Sequence, residues 1–168
     1  MKVIYPLLLI SFIFTCAEVF AQNEVARERI SLEGLQEIGF TANLEGSRTV
    51  VSNQDLTPTT IRQAVVNELV KNNIRYVSDE EVRSSADVPF LYMHINMMEL
   101  DNGLIPFSVE LRLYQPVKLS LNRDLQTTAS TWESGMVGIV SLDQISVIQD
   151  AALNEVLTFI DDYQAANR

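Results

Sequence analysis

Two long segments in the middle of the chain alternate apolar and polar residues with a period of two, the pattern of strands with one buried face. The apolar positions are Leu91, Met93, Ile95 and Met97 in the first segment, and Ile105, Phe107, Val109, Leu111, Leu113, Val117, Leu119 and Leu121 in the second. The intervening positions are Tyr92, His94, Asn96 and Met98, and then Ser108, Glu110, Arg112, Tyr114 and Lys118. The pattern predicts a β-hairpin with one apolar and one mixed face.

The turn between these segments sets the register of the hairpin. A two-residue loop, Asn102-Gly103, would pair Met98 with Phe107 and turn the polar set toward the apolar one. A three-residue loop that adds Asp101 and holds Gly103 in a left-handed conformation pairs Met97 with Phe107 instead. We predict the three-residue loop, because register is fixed by the face that must be buried. The same register pairs Ile95 with Val109.

Two further strands flank the hairpin in the sequence. The stretch "EIGFTANLEG" alternates, with Ile38, Phe40, Ala42 and Leu44 on one face. The stretch "TTASTWESGMVGIV" also predicts a strand, in which a bulge at Gly135 is expected and the face occupied by Trp132 is left open. Pro116 indicates an edge position or a bulge in the preceding strand.

Apolar residues recur at helical spacing in two other segments. The stretch "LTPTTIRQAVVNELVKNN" predicts a helix with Thr57 as N-cap and Pro58 in the first turn. The final stretch, from "SLDQIS" onward, predicts a long helix opened by a capping box of Ser141 and Gln144. The two apolar stripes are Ile61, Val65 and Leu69, and then Ile145, Ile148, Ala152, Val156, Phe159, Ile160 and Tyr163. Asp161 and Asp162 lie near the negative end of the second helix, with no structural reason evident from the sequence.

The order of elements is β-α-β-β-β-α, which predicts an α+β two-layer sandwich. About four mostly antiparallel strands would carry two helices on one face. The other face of the sheet would stay open, and it would display Tyr92, His94, Asn96, Met98, Arg112 and Tyr114.

Residues 1–21 have the features of a signal peptide. Lys2 is a short basic region, "VIYPLLLISFIF" is the apolar region, and Val19 and Ala21 are the small residues before a cleavage site at Ala21/Gln22. We expect residues 22–168 to form a single exported α+β domain, periplasmic or extracellular, with no transmembrane anchor after cleavage. The rival is a lipid anchor at Cys16, which the large Phe14 disfavours.

Charge and cysteine content narrow the chemistry. The net charge is −10, so binding to nucleic acid or to an anionic lipid surface is not expected. Cys16 is the single cysteine and lies in the predicted signal peptide. Disulfides, thiolate catalysis and Cys-ligated zinc are therefore not expected in the mature chain.

The stretch "FLYMHINMMEL" raises the question of a soft-metal site, because thioethers and imidazole bind copper. On a strand, however, His94 and Met98 would lie about 13 Å apart, at ~3.3 Å per residue. Met93 and Met97 should face the core, where methionine is an ordinary gap-filling residue. We expect no metal.

Catalytic motifs are also missing from the sequence. No serine lies in a G-x-S-x-G elbow, and neither a phosphate loop nor a dinucleotide fingerprint is present. A pair of catalytic carboxylates has no distinguishing spacing among the many acids. We therefore expect no cofactor and no enzyme. Trp132 is either a core residue or an anchor for a ligand or partner.

Several stretches carry a resemblance, namely "VVNELVKNNIRYV", the alternating hairpin, "STWESG" and "FIDDYQAAN". Together they resemble a group of small, uncharacterised exported bacterial proteins. The element order is similar to that of the LPS-transport lipoprotein LptE. The chain departs from LptE in its weak lipidation signal and its acidity, and no functional residue is transferred.

These observations favour a non-enzymatic exported module for binding or assembly, acting through the open sheet face or an edge strand. Its partner would be another envelope protein or a second copy of itself. The candidate contact residues are Tyr92, His94, Arg112, Tyr114 and Trp132. The alternative is a small carrier that holds a lipid or another hydrophobic ligand between sheet and helices, lined by the methionines and Phe107.

Overall fold

The computed structural model describes residues 26–47 and 56–168. It is an α+β fold, as predicted, with five strands and four helices among the described residues. In chain order these are α1 (residues 26–30), β1 (Glu37–Glu45), α2 (Pro58–Lys71), β2 (Arg75–Tyr76), α3 (Asp79–Ser84), β3 (Phe90–Met97), β4 (Leu104–Lys118), β5 (Gln126–Ser141) and α4 (Ser146–Ala166). The predicted signal peptide, Cys16 and the cleavage site lie outside the described residues.

The five strands form one open sheet in the order β2-β1-β3-β4-β5. β1 runs parallel to both of its neighbours, whereas β3, β4 and β5 are antiparallel to one another. The expected four mostly antiparallel strands are thus five strands of a mixed sheet. The parallel pairs arise because helical crossovers, rather than tight turns, follow β1.

The hairpin register is the predicted one. Met97 lies opposite Phe107 and Ile95 opposite Val109. Gly103 closes the three-residue loop with φ +77°, a left-handed conformation that glycine adopts without steric cost. The odd-numbered side chains of β3 and the first part of β4 therefore share one buried face.

A β-bulge in β5 lies at Thr131. It changes which face of the sheet the β5 side chains before it occupy, relative to those after it. Leu113 of β4 pairs with Trp132, but the next β4 residue, Tyr114, pairs with Ser130. Thr131 therefore lies opposite no residue of β4. The bulge puts Trp132 opposite Leu113, on the buried face. The side-chain orientation that the sequence left open is settled by this one extra residue.

Gly135 is not the site of the bulge, so that prediction is wrong. It pairs in regular register with Glu110. A Cβ atom at this position would lie 2.7 Å from the carbonyl oxygen of Val109. Gly135 is therefore explained by a close approach of two backbones.

Helices α2 and α4 cover one face of the sheet and enclose the core. The fully buried side chains include Ile38, Phe40, Ile61, Val65, Leu69, Leu91, Met93, Ile95, Val109, Leu111, Ile148, Val156 and Phe159. Both predicted helical stripes contribute to this core. None of the helices in residues 26–47 and 56–168 has the length and apolarity required to cross a membrane.

The ends of α2 follow the sequence signals. The hydroxyl of Thr57 accepts the backbone N–H of Thr60, and the Thr60 hydroxyl accepts the N–H of Thr57. At the other end Asn73 is left-handed (φ 60°), and the Ile74 N–H donates to the Leu69 carbonyl at 2.9 Å. This is a Schellman ending, which satisfies the last carbonyls of the helix.

Helix α4 begins later than predicted. Residues Leu142–Gln144 form a 3₁₀ turn, and α4 starts at Ser146 without a side-chain cap. The hydroxyl of Ser141 bonds the side chain of Gln144, so these residues do not form a capping box for α4. The extra turn carries the chain from the end of β5 onto the covered face.

The short helix α3 lies on the other face of the sheet, against β1. A Cβ atom on Gly39 would lie 2.1 Å from Cγ2 of Val82, and Gly39 points away from Ile38 and Phe40. The expectation that the helices occupy one face therefore holds for α2 and α4 but not for α3. Glycine is required here because Val82 occupies the place of a side chain.

Candidate functional site

Four ring side chains form a cluster in the middle of the open face, named here the aromatic patch: Phe90, Tyr92, His94 and Tyr114. Phe90 stacks on Tyr114 across the β3–β4 pair, with ring centroids 5.4 Å apart. Tyr92 contacts Tyr114 edge-on at 6.3 Å and His94 at 6.3 Å. All four side chains are partly exposed. The patch is a preformed, amphipathic surface on rigid strands.

Arg112 lies beside the aromatic patch, directly opposite Tyr92. Its guanidinium contacts the Glu110 carboxylate at 2.8 Å and the Glu133 carboxylate at 3.4 Å. A hydrogen bond to Tyr114 and the charge of Glu110 raise the pKa of Arg112 above its ordinary value. The cation is thus held in one position while its side chain stays 39% exposed. A positioned guanidinium that two carboxylates already neutralise, beside aromatic rings, suits recognition of a carbonyl or another neutral acceptor.

His94 is the most enclosed polar group of the patch. Its Nε2 atom is buried without a hydrogen-bond partner and lies 3.6 Å from a carboxylate oxygen of Glu45. Its neighbours across the strands are Asn43 and Glu110. Among the described residues, no cluster of three His, Cys, Asp or Glu side chains is placed to hold a metal ion.

A second surface, named here the apolar groove, lies at the far end of the open face. Its volume is about 770 Å³, and its lining includes Asn96, Met98, Pro106, Ser108, Val137 and Ile139. Val137 is 81% exposed, Ile139 64% and Met98 59%. Exposed apolar side chains clustered in this way are typical of an interaction surface.

Sequence reasoning missed Val137 and Ile139 as site residues. The signal for them was present in "GMVGIV", where apolar residues occupy both faces of one strand. Val140 faces the core and is 6% exposed. Val137 and Ile139 are odd-numbered and therefore lie on the opposite face of the strand, where apolar side chains add nothing to the core.

Trp132 lies apart from the other candidate contact residues, on the face covered by the helices. It is 2% exposed and meets the Phe159 ring edge-on, with centroids 5.2 Å apart. Its indole Nε1–H donates to Oδ2 of Asp162 at 3.1 Å. The structure thus brings Tyr92, His94, Arg112 and Tyr114 together on the open face and places Trp132 in the core.

The structure explains why an acid, Asp162, lies near the negative end of α4. Its second carboxylate oxygen, Oδ1, accepts from Nε and Nη2 of Arg29 at 2.8 and 2.5 Å. One carboxylate near the end of α4 therefore joins α1 to the tryptophan of β5. These hydrogen bonds to Arg29 and Trp132 compensate for the unfavourable position of an acid at the negative end of a helix.

Comparisons with known proteins place the chain only loosely. No protein-family model matches it, and no curated protein matches it. A solved hypothetical protein from Chlamydia trachomatis aligns with a TM-score of 0.46 and 10% identity, covering 78% of this chain and 98% of that one.

Two other solved structures align less well. The PelC dodecamer from Paraburkholderia phytofirmans gives a TM-score of 0.42 at 10% identity, covering 81% of this chain and 92% of that one. A minor lipoprotein from Acinetobacter baumannii gives 0.36 at 11% identity, covering 78% and 94%. None of these similarities transfers a residue role or an activity to the chain.

Proposed function

We propose that the protein is an exported, non-enzymatic binding or assembly module that holds another envelope protein against its open sheet face. The observation that carries the proposal is the aromatic patch with Arg112 beside it. One face of the sheet is fully used by the core, whereas the other presents partly exposed tyrosines and a fixed cation. The side chains of Tyr92, Arg112 and Tyr114 have no role in holding the sheet to α2 and α4, which cover the opposite face.

The composition of this surface supports binding rather than simple solvation. Tyrosine and arginine are enriched at the energetic centres of protein interfaces. The side chains of Tyr92, Arg112 and Tyr114 project from two paired strands and already contact one another. Little conformational freedom remains to be lost when a partner docks, so more of the contact energy appears as affinity.

Export is the second component of the proposal, and its support comes from the sequence. The basic, apolar and small-residue regions of residues 1–21 have the order that signal peptidases recognise. N-terminal sequencing of the protein isolated from its host tests this component directly. A mature chain that begins at Gln22 is the expected result, and an intact Lys2 would contradict it.

The alternative function is a small carrier of a hydrophobic ligand between sheet and helices. The side chains that would line such a cavity include Met93, Met97 and Phe107, which are at most 6% exposed and belong to the packed core. A ligand would have to displace them, at a cost that close-packed interiors make large. We therefore prefer the binding module. Lipid detected in native mass spectra of the purified protein would favour the carrier.

The test is a co-purification from the native host. The full chain carries a C-terminal tag, the envelope is gently cross-linked, and captured proteins and lipids are identified by mass spectrometry. The test variant combines Tyr92→Ala, Arg112→Ala and Tyr114→Ala.

The control variant changes the same number of exposed residues on the helices: Val70→Ala, Lys71→Ala and Leu157→Ala. Trp132 is the only tryptophan in the chain, so its fluorescence verifies that both variants are folded. We expect one abundant envelope protein with the parent chain and the control, and at least tenfold less of it with the test variant. Equal capture by all three would overturn the proposal.

A further inference from the structure

Strand β5 is the last strand of the sheet, and no strand formed by residues 26–47 or 56–168 lies along one of its edges. The Met98 N–H donates to the Pro106 carbonyl, so even-numbered residues of β4 bond toward β3. The odd-numbered residues of β4 therefore bond toward β5, and they lie opposite even-numbered residues of β5 up to the bulge. Backbone N–H and C=O groups alternate sides along a strand. The outward groups of β5 therefore belong to Glu133, Gly135, Val137 and Ile139.

This edge lacks the features that usually protect a strand from pairing with another chain. Protected edges are short, carry charges or proline, or are covered by another element. β5 is 16 residues long, and from Ser134 to Leu142 it contains no charged residue and no proline. The opposite edge of the sheet differs, because β2 has two residues and its Arg75 pairs with Glu37.

The side chains along the free edge are also unusual for a solvated surface. Val137 and Ile139, the two most exposed apolar residues of the apolar groove, belong to the outward-bonding set. Backbone groups that are free to pair and apolar side chains that gain from burial thus lie on the same residues. Addition of a strand satisfies both at once.

We propose that the free edge of β5 pairs antiparallel with β5 of a second copy of this chain, about a two-fold axis at Val137. This inference rests on the proposed function, because it makes self-pairing one of the assembly contacts. The two sheets become one continuous sheet. The open faces of both copies lie on the same side, and the two apolar grooves adjoin.

Charge favours this stretch over the rest of the surface as the place where a second copy pairs. A chain with a net charge of −10 repels its own copies over most of its surface. The stretch from Ser134 to Leu142 is a place where two copies approach without bringing like charges together. Antiparallel pairing of identical edges also matches every outward donor with an acceptor.

The side chains favour one register over the two in which Glu133 moves toward the middle of the free edge. With Val137 opposite Val137 of the second copy, Ile139 lies over Gly135, which has no side chain. Glu133 then lies opposite Ser141 and stays beside Arg112. Moving the two-fold axis by one residue, to Met136, places Glu133 opposite Ile139, and moving it by two, to Gly135, places Glu133 opposite Val137, so both alternatives cover a carboxylate with an apolar side chain.

Cysteine cross-linking tests the register. The full chain carries Cys16→Ser, so that the introduced thiol is the only one. Val137→Cys places the two thiols opposite each other, within the Cα separation of about 4.4–6.8 Å that a disulfide spans. Ile139→Cys is the matched control on the same edge and face, and its two copies lie about 13 Å apart along the strands. We expect a disulfide-linked dimer from Val137→Cys under mild oxidation and at least tenfold less from Ile139→Cys.

Sedimentation velocity over a concentration series tests the pairing itself. A single strand edge buries less than a standard interface, so a concentration-dependent monomer–dimer equilibrium is expected. Val137→Pro removes an outward N–H without touching the ladder to β4, and it should raise the dimer Kd at least tenfold. Val137→Thr keeps that N–H and the β-branched shape, and it should stay within threefold of the parent.

The results separate this inference from the proposed function. A parent chain that remains monomeric at all concentrations, or equal cross-linking at residues 137 and 139, overturns the β5 pairing. If partner capture still depends on Tyr92, Arg112 and Tyr114 in that case, the proposed function stands. A dimer that Val137→Pro leaves intact also overturns the inference, because its contact lies elsewhere.

Discussion

Replacement of Asp162 by alanine tests how the fold is tied together at the end of α4. The carboxylate accepts the indole N–H of Trp132 through one oxygen and the guanidinium of Arg29 through the other. Asp162 is 17% exposed and Trp132 2%. Removal of the Asp162 carboxylate therefore leaves the buried indole N–H of Trp132 without an acceptor, while Arg29 remains solvated.

The change in the free energy of unfolding caused by Asp162→Ala has three contributions. An unsatisfied buried donor costs about 1–3 kcal/mol. Loss of a partly exposed ion pair costs about 0.2–1 kcal/mol. Removal of an acid from the negative end of a helix returns about 0.3–1 kcal/mol. The free energy of unfolding should therefore fall by about 2 kcal/mol, and the Tm by about 4–8 °C for a chain of this size.

The assay is urea unfolding followed by fluorescence, since Trp132 is the only tryptophan and lies at the perturbed contact. Asp162→Asn is the matched control. Its amide oxygen still accepts the indole N–H, so only the ion pair is lost and the cost should stay below about 1 kcal/mol. A loss below 0.5 kcal/mol for Asp162→Ala, or equal losses for both variants, would refute the reasoning about the buried donor.

Three further predictions concern the turn, the open-face helix and its cap. Gly39→Ala forces Val82 away from β1 and should cost about 1–3 kcal/mol in thermal unfolding; adding Val82→Ala should recover most of that loss, and no recovery would place the strain elsewhere. Gly103→Ala meets no neighbouring atom, so only its left-handed backbone is strained, and urea unfolding should show a loss of about 1–2 kcal/mol. Hydrogen bonds from Ser78 lower the pKa of the Glu81 carboxyl. Because that pKa is lowered in the folded state, the cap stabilises α3 above the ordinary glutamate pKa and is lost as the pH falls through the folded value. Ser78→Ala removes the hydroxyl bond and keeps the backbone N–H bond, so it should raise the pKa measured by NMR titration in part; an unchanged value would contradict the role of the hydroxyl in the cap.

The parts of the fold that follow from the sequence are those set by local pattern. The hairpin register could be predicted because only the three-residue loop places Met97 and Phe107 together on a buried face. The start of α2 could be predicted from Thr57 and Pro58. That Tyr92, His94, Arg112 and Tyr114 share one face followed from the same alternation. Each of these features is decided within a few residues or across one turn.

The features that could not be predicted depend on distant partners or on a single shifted residue. The orientation of Trp132 depends on the bulge at Thr131, where the extra residue is a threonine rather than the expected glycine. The carbonyl of Thr131 is bonded by Ser31 and its hydroxyl by Gln115, and Ser31 lies far away in the sequence. The role of Asp162 likewise depends on Arg29. No local pattern contains these contacts.

Two short elements, α3 and β2, account for further differences between the predicted and the observed fold. The segment that begins "SDEE" forms helix α3, an element that is absent from the predicted order β-α-β-β-β-α. Ser78 and Glu81 form a capping box there, the same signal that was recognised elsewhere in the chain. With six residues in α3 and two in β2, neither element contains enough positions to show a period.

The exposed apolar residues of β5 were missed for a different reason. A strand that is apolar on both faces has no alternation, and the sequence alone does not tell which parity faces the core. The register with β4 supplies that information, since Val140 lies opposite Ile105 and Ile139 opposite Pro106. The apolar groove therefore became visible only after β5 was placed at the edge of the sheet.

Photo-cross-linking in the native host tests the central claim, that the open sheet face binds an envelope protein, most directly. A photoreactive amino acid replaces Tyr114 in the aromatic patch, and in a matched strain it replaces Val70, an exposed residue of α2. We predict that irradiation yields one discrete adduct with an envelope protein from position 114 and none from position 70. No adduct from position 114, or the same adduct from both positions, would contradict the claim.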